Sequence, residues 1–390
     1  MPNSAYVAKR VINRAFWRKK DKPLLGWLDM ELTERCNNNC IHCCINLSLG
    51  DLAAKKKELS AKEIKDILRE AVSLGCTGVR FTGGEPLLRG DFGELYVFAR
   101  KSGLAVVIFT NATLINQHLV ELFSRIPPLE EIEVTVYGMN KKSYESVTGI
   151  TGSFEAAWRG INLLLENKIP FVIKGALLPP NKEEIGEFEK WAAIIPWMNK
   201  PPRHAMFFDL HYRRDEAKNR RIRKLRLTPE EGLKILTRRK GEYKEERKDY
   251  CSKFMRPCGD KLFSCGSGVG VGCVDAYGYF QPCIKLRHPE CVYNLRKGSL
   301  KDALTNFFPK IREIRAKNPD YLERCAKCFL KGLCEQCPGR SWLEYGTLDT
   351  PVKYFCEIAH AEARFLGLLN DSEKGWEVAD WKKRVSKFVQ

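Results

Sequence analysis

The chain has 390 residues, 44% of them hydrophobic, and a formal net charge of +18. This composition supports a buried core and excludes an intrinsically disordered chain. No run of about 18 apolar residues occurs, and the first twenty residues lack the apolar segment of a secretory signal. We therefore expect a cytoplasmic protein without a membrane span. The positive charge is compatible with nucleic acid, an anionic membrane or an acidic peptide as partner, and equally with a solvated basic surface.

Sixteen cysteines stand in groups along the chain. A secreted domain held by that many disulfides would be short and rich in loops. This chain is long and has no secretory signal, so the cysteines indicate metal ligation in a reducing compartment.

Residues 1–25 form a basic extension with the pattern of an amphipathic helix, and residues 1–20 contain no acidic residue. From residue 26, strand patterns alternate with helix patterns. The predicted strands are 28–32, 78–82, 104–109, 131–137, 171–178 and 206–211. The predicted helices are 60–74, 91–101, 117–124, 153–166 and 182–193. About six such units predict parallel strands covered by helices, in a barrel or a doubly wound sheet.

The helix at 60–74 has the most complete local signals. Ser60 and Glu63 have the spacing of a capping box, and Gly75 is placed to end the helix. The apolar face comprises Ile64, Ile67, Leu68 and Ala71.

The alternating region covers residues 26–211, and the character of the sequence changes after it. Residues 212–250 are polar and basic, which is typical of a linker with a surface helix. Residues 251–370 form a second predicted domain, in which positions 251–356 hold eleven cysteines. Residues 371–390 are predicted to form a C-terminal tail.

Cys36, Cys40 and Cys43 form a CxxxCxxC triplet after the first predicted strand. Three thiolates at this spacing can hold three irons of a [4Fe–4S] cube and leave the fourth iron open for a small chelating ligand. A zinc site is the alternative, and His42 or Cys44 would then supply the fourth ligand.

The sequence Gly83-Gly84-Glu85-Pro86 follows the second predicted strand. Paired glycines let the backbone approach a ligand closely, and a glutamate can accept hydrogen bonds from an ammonium group. Alone, this sequence is compatible with an ordinary turn. In a barrel, however, both motifs fall at the carboxyl ends of strands, where active sites lie.

Together, the triplet and the glycine motif resemble the radical S-adenosylmethionine (SAM) family, over roughly residues 26–211. The resemblance implies an α/β fold with a partial (β/α)6 TIM-type barrel and a [4Fe–4S] cluster on the triplet. It also implies that Gly83, Gly84 and Glu85 contact the methionyl amino group of SAM. Reduction, by a donor such as ferredoxin or flavodoxin, would cleave SAM to methionine and a 5′-deoxyadenosyl radical that abstracts hydrogen from the substrate.

The same resemblance implies further SAM contacts at His42, Pro86, Asn111, Thr135 and Lys174. His42 stands where the family usually has an aromatic residue near the adenine. Thr135 replaces a serine that contacts the ribose or carboxylate, and it keeps the hydroxyl group. Asn111 is alternatively a helix cap, and Lys174 alternatively an outward side chain on its strand.

The later cysteines resemble the SPASM extension of radical SAM enzymes, which binds two auxiliary [4Fe–4S] clusters. Residues 272–283 are predicted to form a β-hairpin with a turn at Gly278, and the run from Cys325 to Cys337 reads CxxCx5CxxC. The resemblance implies a first auxiliary cluster on Cys265, Cys283 and Cys337, with Cys258, Cys273 or the substrate at its fourth position. It implies a second on Cys325, Cys328, Cys334 and Cys356, which makes three clusters in a small C-terminal iron–sulfur domain. The spacing between Cys334 and Cys337 is two residues where the commonest pattern has three, and two structural zinc sites are the alternative.

Within that group, the resemblance indicates a maturase that acts on a ribosomally made precursor peptide. It would form a thioether or carbon–carbon crosslink, or epimerise a residue. About thirty-five residues precede the triplet, so we expect a separate leader-recognition protein or docking on basic surface. The alternatives are a radical SAM enzyme for a small molecule such as a tetrapyrrole or sugar, and a non-catalytic metal scaffold or nucleic-acid-binding zinc protein. The basic runs contain few aromatic residues for base stacking, which counts against nucleic acid.

Overall fold

The computed structural model describes residues 24–390, so the helix predicted within residues 1–25 lies almost entirely outside the described part of the chain. The strands are β1 (Leu25–Thr33), β2 (Arg35–Cys36), β3 (Leu47–Ser48), β4 (Gly78–Gly83), β5 (Ala105–Thr110), β6 (Leu129–Val136), β7 (Phe171–Ala176), β8 (Arg203–Ala205), β9 (Gly270–Val274), β10 (Tyr279–Gln281) and β11 (Tyr293–Asn294). Nine of them form one sheet in the order β11-β10-β9-β1-β4-β5-β6-β7-β8, and β2 pairs with β3.

The helices cover one face of this sheet and build most of the C-terminal region. They are α1 (Leu52–Lys57), α2 (Ala61–Ser73), α3 (Phe92–Lys101), α4 (Gln117–Arg125), α5 (Lys141–Thr148), α6 (Ser153–Glu166), α7 (Ile185–Ala192), α8 (Glu216–Leu225), α9 (Pro229–Leu236), α10 (Lys240–Phe254), α11 (Leu300–Asp302), α12 (Phe308–Arg312), α13 (Pro338–Tyr345), α14 (Lys353–Phe365) and α15 (Trp381–Val389). Among the helices of residues 24–390, none combines the length and the apolar character needed to cross a membrane.

Strands β1 and β4 to β8 run parallel, and helices connect most of them in sequence. This confirms the predicted partial barrel of the TIM type. Alternation along β1 explains the two faces of the sheet, because successive side chains of a strand point to opposite sides. Leu28, Met30 and Leu32 are fully buried in the helix-covered core. Asp29 lies on the other face and pairs with Arg80 of β4 at 2.7 Å.

The local signals of α2 are confirmed. Ser60 and Glu63 form the reciprocal capping box, and the four apolar residues of the predicted face are the buried ones. Gly75 follows the helix with a φ of 99°, a backbone conformation that favours glycine.

The predicted strand at 206–211 is wrong, because the last barrel strand is β8, which ends at Ala205. The alternating apolar pattern has another cause: Phe208 and Leu210 pack in a cluster with the half-buried Cys43 and Cys44. The backbone is tied to the same loop, since the Tyr212 amide donates to the Cys44 carbonyl at 2.7 Å. The segment therefore serves as a wall above the barrel rather than as a strand of it.

Residues 212–250 contain the helices α8, α9 and α10, more than the single surface helix expected there. Ile222 of α8 and Leu227 after it are buried. This region therefore contributes to the core as well as to the basic surface.

The C-terminal region joins the barrel directly, because β9 pairs in parallel with β1. The predicted hairpin is confirmed, with β9 and β10 antiparallel and Gly278 in the turn at a φ of 88°. The cysteine-rich region therefore continues the sheet of the barrel at its first strand.

A buried ion network closes this junction. Arg287, whose side chain is 7% exposed, donates to both carboxylate oxygens of Glu31 at 2.8 and 2.7 Å and also to Glu34. Glu34 accepts two further bonds from Arg213 at 2.7 Å each and one from the Tyr277 hydroxyl at 3.1 Å. Burial opposes ionisation of Glu34, but the hydrogen bond from Arg213 and the charge of Arg287 outweigh it and lower its pKa. One guanidinium thus holds the end of β1 against the C-terminal region.

We predict that R287M destabilises the protein by about 3–5 kcal/mol, because it leaves the buried Glu31 without its cation. The measurement is chemical unfolding followed by circular dichroism under anaerobic conditions. The matched control is R296M, which breaks the exposed Arg296–Glu63 pair and should cost at most about 1 kcal/mol. Equal losses in the two variants would contradict the role assigned to Arg287.

Candidate active site

The cysteine triplet lies in the loop between β1 and α1, and neighbouring segments hold this loop at both ends. At its start, Arg35 donates to Glu58 at 2.8 and 3.0 Å. Within it, the Asn39 and Ile41 amides donate to carbonyls of α5 at 2.8 and 3.0 Å. The backbone that carries the thiols is therefore fixed by contacts outside the loop.

The three thiols lie close enough to affect one another. Burial raises the pKa of Cys36 to about 12, and the charges of Glu85 and Cys43 add to it. Burial also raises the pKa of Cys40, and Cys43 and Cys36 raise it further. Because a bound cation favours loss of the thiol protons to solvent, three neighbouring thiols are suited to a metal cluster. Across residues 24–390, no three histidine, cysteine or acidic side chains are spaced as the ligands of a single metal ion.

The paired glycines pack against the chain that enters the cysteine loop. A Cβ atom on Gly83 would lie 2.1 Å from the Thr33 carbonyl oxygen, and one on Gly84 would lie 2.1 Å from that of Arg35. The Gly84 and Glu85 amides donate to these same carbonyls at 2.7 and 3.0 Å. The close backbone approach is therefore made to residues 33–35, and it sets the position of Cys36.

The Glu85 carboxylate is buried and oriented by three donors. The Leu87 amide and the Thr110 hydroxyl donate to one oxygen at 3.1 and 3.0 Å, and the Asn111 amide donates to the other at 2.8 Å. Burial raises its pKa to about 7. A carboxylate has about four acceptor positions, so one remains for an ammonium group. Pro86 is buried and begins the short 3-10 turn that follows.

Asn111 connects the carboxylate to the triplet. Its side-chain amide donates to Asn37 at 3.1 Å and approaches the Cys36 sulfur at 3.7 Å. The structure thus brings Cys36, Glu85 and Asn111 together, although 75 residues separate the first from the last.

His42, Thr135 and Lys174 line one cavity of about 810 Å³ above the barrel. The His42 ring lies 4.9 Å from that of Phe208, and burial lowers its pKa to about 4, so the ring is neutral at neutral pH. Thr135 stands beside Lys174 on neighbouring strands. These side chains are suited to an aromatic and hydroxyl-bearing ligand.

Lys174 points into the barrel rather than outward. Its Nζ pairs with Glu133 at 3.0 Å and lies 3.1 Å from the centre of the Phe109 ring. Its charge is thus already balanced within the barrel.

Cysteines from two parts of the chain line this cavity. They are Cys43 and Cys44 near the barrel strands and Cys334 and Cys337 in the C-terminal region. Its volume is in the range of ligand-binding cavities, which are about 300–1,000 Å³.

The C-terminal cysteines fall into two neighbouring groups. Burial raises the pKa of Cys283 to about 11, and its nearest charged neighbours include Cys337 and Cys265. The second group lines a smaller cavity and comprises Cys258, Cys325, Cys328, Cys334 and Cys356. Cys273 lies apart from both, against Glu31 and Asp29. All sixteen cysteines are free thiols.

The Tyr137 hydroxyl lies beside the Cys40 thiol, two residues along the chain from Thr135. Three other cavity residues were not singled out in the sequence. Asp209 accepts from Arg340 at 2.6 Å and pairs with Lys285 at 2.7 Å, which ties the segment after β8 to the cysteine-rich region. No sequence signal could have found these residues, because they come from three distant segments with no motif of their own.

Known proteins are similar to this chain in sequence and in fold. A model described as the radical SAM superfamily matches residues 30–192. An AdoMet-dependent heme synthase from Methanosarcina barkeri is 27% identical over 83% of this chain and 93% of its own length. The Fe-coproporphyrin III synthase of the same organism is 31% identical over 43% of this chain and 40% of its own. Mycofactocin maturase MftC from Mycolicibacterium smegmatis is 30% identical over 46% of this chain and 44% of its own, so the chain spans less than half of these last two relatives.

Two solved structures share the fold over most of the chain. One is anSMEcpe with bound AdoMet, with a TM-score of 0.59 and 14% identity over 93% of this chain and 98% of that one. The other is SuiB of Streptococcus suis bound to S-adenosylmethionine, with a TM-score of 0.56 and 19% identity over 88% and 80%. The barrel, the clustered thiols after β1 and the match to the family model lead to one conclusion: the chain carries a radical SAM superfamily domain.

Proposed function

We propose that this protein is a radical SAM enzyme that abstracts a hydrogen atom from a substrate held in the 810 Å³ cavity. The observation that carries the proposal is the position of this cavity, between the cysteine triplet and the C-terminal cysteines. Cys36, Cys40 and Cys43 would hold a [4Fe–4S] cluster. When bound, the cluster and SAM supply an electron transfer that releases methionine and a 5′-deoxyadenosyl radical.

The residues around the triplet would orient SAM. Glu85 has one acceptor position left for the methionyl ammonium group, and its three donors keep the carboxylate in place. His42 presents a neutral ring to the adenine, and Thr135 offers a hydroxyl group to the ribose or carboxylate. The half-buried ring of Tyr137 and the buried ring of Phe208 next to His42 would exclude water from the reacting atoms.

The C-terminal thiols would hold two auxiliary [4Fe–4S] clusters, for a total of three. Their donor set fits, since thiols in two neighbouring groups, half-buried except for the exposed Cys265, are the ligands that such clusters take. For the fourth position of the first cluster we propose the substrate, because Cys258 lines the cavity of the second group and Cys273 lies beside Glu31 on the strand next to β1. We further propose a cytoplasmic enzyme with ferredoxin or flavodoxin as reductant, supported by sixteen free thiols.

For the substrate we propose a ribosomally made precursor peptide, modified by a crosslink or by epimerisation, with a separate leader-recognition protein. Three observations support it: the SPASM-like cysteine spacing, the partial similarity to a maturase, and the shared fold with anSMEcpe. That protein has also been solved with a bound peptide, with a TM-score of 0.59 to this chain.

A tetrapyrrole is the second candidate substrate. It is favoured by the heme synthase, which matches this chain over 93% of its own length. The cavity wall also carries Lys285, Lys331 and Arg340, cations that can pair with carboxylates.

We predict that the triple variant C36A/C40A/C43A loses SAM cleavage and keeps its auxiliary iron. Removing the ligands of the cluster proposed to bind SAM abolishes 5′-deoxyadenosine, while about four of about twelve irons are lost. Chromatography of the reaction products and an iron and sulfide assay measure the two quantities. Formation of 5′-deoxyadenosine by this variant would show that the triplet is not the cleavage site.

We predict that G84A weakens SAM binding at least about tenfold, equal to about 1.4 kcal/mol. The added Cβ displaces the Arg35 carbonyl, and Cys36 moves with it. Equilibrium binding of SAM to the reconstituted protein is the measurement. G90A is the control, since a Cβ there meets nothing within 4 Å. Unchanged affinity in G84A would contradict the packing role of the glycine pair.

We predict that anaerobic turnover changes the mass of a precursor peptide encoded beside the gene, in water or in deuterated water. A crosslink lowers the mass through hydrogen loss, and epimerisation in deuterated water raises it through deuterium uptake. The parallel reaction contains iron-coproporphyrin III. A change in the porphyrin alone would favour the second candidate and reject the peptide.

A further inference from the structure

Lys331 lies in the segment between Cys328 and Cys334, at the boundary between the two C-terminal cysteine groups. It lines both the substrate cavity and the smaller cavity of the second group. Its side chain is half-buried, so water screens its charge only partly. A lysine in this position acts on its surroundings mainly through its charge.

The groups that face Lys331 are thiols rather than carboxylates. Its Nζ donates to the Gln336 carbonyl at 3.4 Å, and its charge acts on the nearby Cys258 thiol. Burial opposes its charge, but nearby thiols hold its pKa above the ordinary value. These thiols are Cys258, Cys334, Cys337 and Cys265.

Those four cysteines come from both groups. Cys265 and Cys337 belong to the first, and Cys258 and Cys334 line the cavity of the second. Lys331 therefore places one positive charge between the two sets of ligands.

The other cations nearby have different partners. Lys285 and Arg340 share the Asp209 carboxylate at 2.7 and 2.6 Å. Arg324 donates to Cys356, a thiol of the second group. Lys331 thus differs from them, because it faces thiols of both groups.

A positive charge next to an iron–sulfur cluster favours its reduced form, because reduction adds one negative charge to the cluster and its thiolates. We propose that Lys331 is a positioning residue that raises the reduction potential of both auxiliary clusters. The inference rests on the proposed function, which supplies those clusters. Each cluster takes one electron from a low-potential donor and passes from the 2+ to the 1+ state, and the fixed charge of Lys331 stabilises the product of that step.

The test is a redox titration of the reconstituted full-length chain, monitored by electron paramagnetic resonance. The background is C36A/C40A/C43A, so that only auxiliary clusters contribute signals. In K331M, the ratio of reduced to oxidised cluster at a fixed potential should fall about tenfold, which is about 59 mV for a one-electron couple. K331R should stay close to the background protein. K327M is the matched control, because Lys327 lies between Cys325 and Cys328 but is exposed.

Iron and sulfide content separates the outcomes, and K331Q serves as a second uncharged variant. Full iron content with unshifted potentials in K331M and K331Q overturns the inference and leaves the proposed function intact. Auxiliary iron missing from the background protein overturns both. Loss of iron from the two uncharged variants but not from K331R also overturns the inference, because the charge would then hold the thiolates in place rather than set a reduction potential. Loss from K331R as well overturns it, since side-chain shape would then be the cause.

Discussion

The buried guanidinium of Arg287 is the interaction on which the rest of the architecture depends. It binds Glu31 and Glu34 at the end of β1, two residues before the first cysteine of the triplet. Removing three charged groups from water is costly, and only well-formed hydrogen bonds in the folded state compensate for it. Arg287 follows Cys283 closely in the chain. The network therefore connects the segment that carries the triplet to the segment that carries the first C-terminal group.

The second constraint is steric and lies on the other side of the same strand. Residues 83–85 approach residues 33–35 so closely that side chains at Gly83 and Gly84 would collide with backbone carbonyls. The pairing of β1 with β4 therefore continues beyond the regular strands, up to the cysteine loop. One short contact places both the Glu85 carboxylate and the Cys36 thiol, so the groups proposed to hold SAM and the cluster form one rigid unit.

Electrostatics explains why the thiols are arranged with cations beside them. Burial and neighbouring thiols raise the pKa of Cys40, Cys283 and Cys334, one thiol from each cysteine group, which opposes ionisation. Lys218 lies near Cys43, Arg324 near Cys356 and Lys331 between the two C-terminal groups. Some of the basic residues therefore lie next to the proposed ligands. Their positive charge acts on the thiols rather than on a surface for nucleic acid. This internal placement is what a protein requires to hold thiolates away from water.

The sequence by itself determined the features that depend on a few neighbouring residues. The capping box and buried face of α2, the hairpin around Gly278 and the parallel strands with helices between them were all predictable, because hydrophobic period and turn chemistry act over about ten residues. The cysteine spacing likewise identified the candidate triplet. Tertiary structure alone decided that residues 206–211 form a wall instead of a strand, that Lys174 pairs with Glu133, and that Cys258 lies by the second group while Cys273 lies beside β1. It also decided the partners of Arg287 and Lys331. These outcomes join segments far apart in the chain, and their energies depend on burial and distance, which no local pattern of residues encodes.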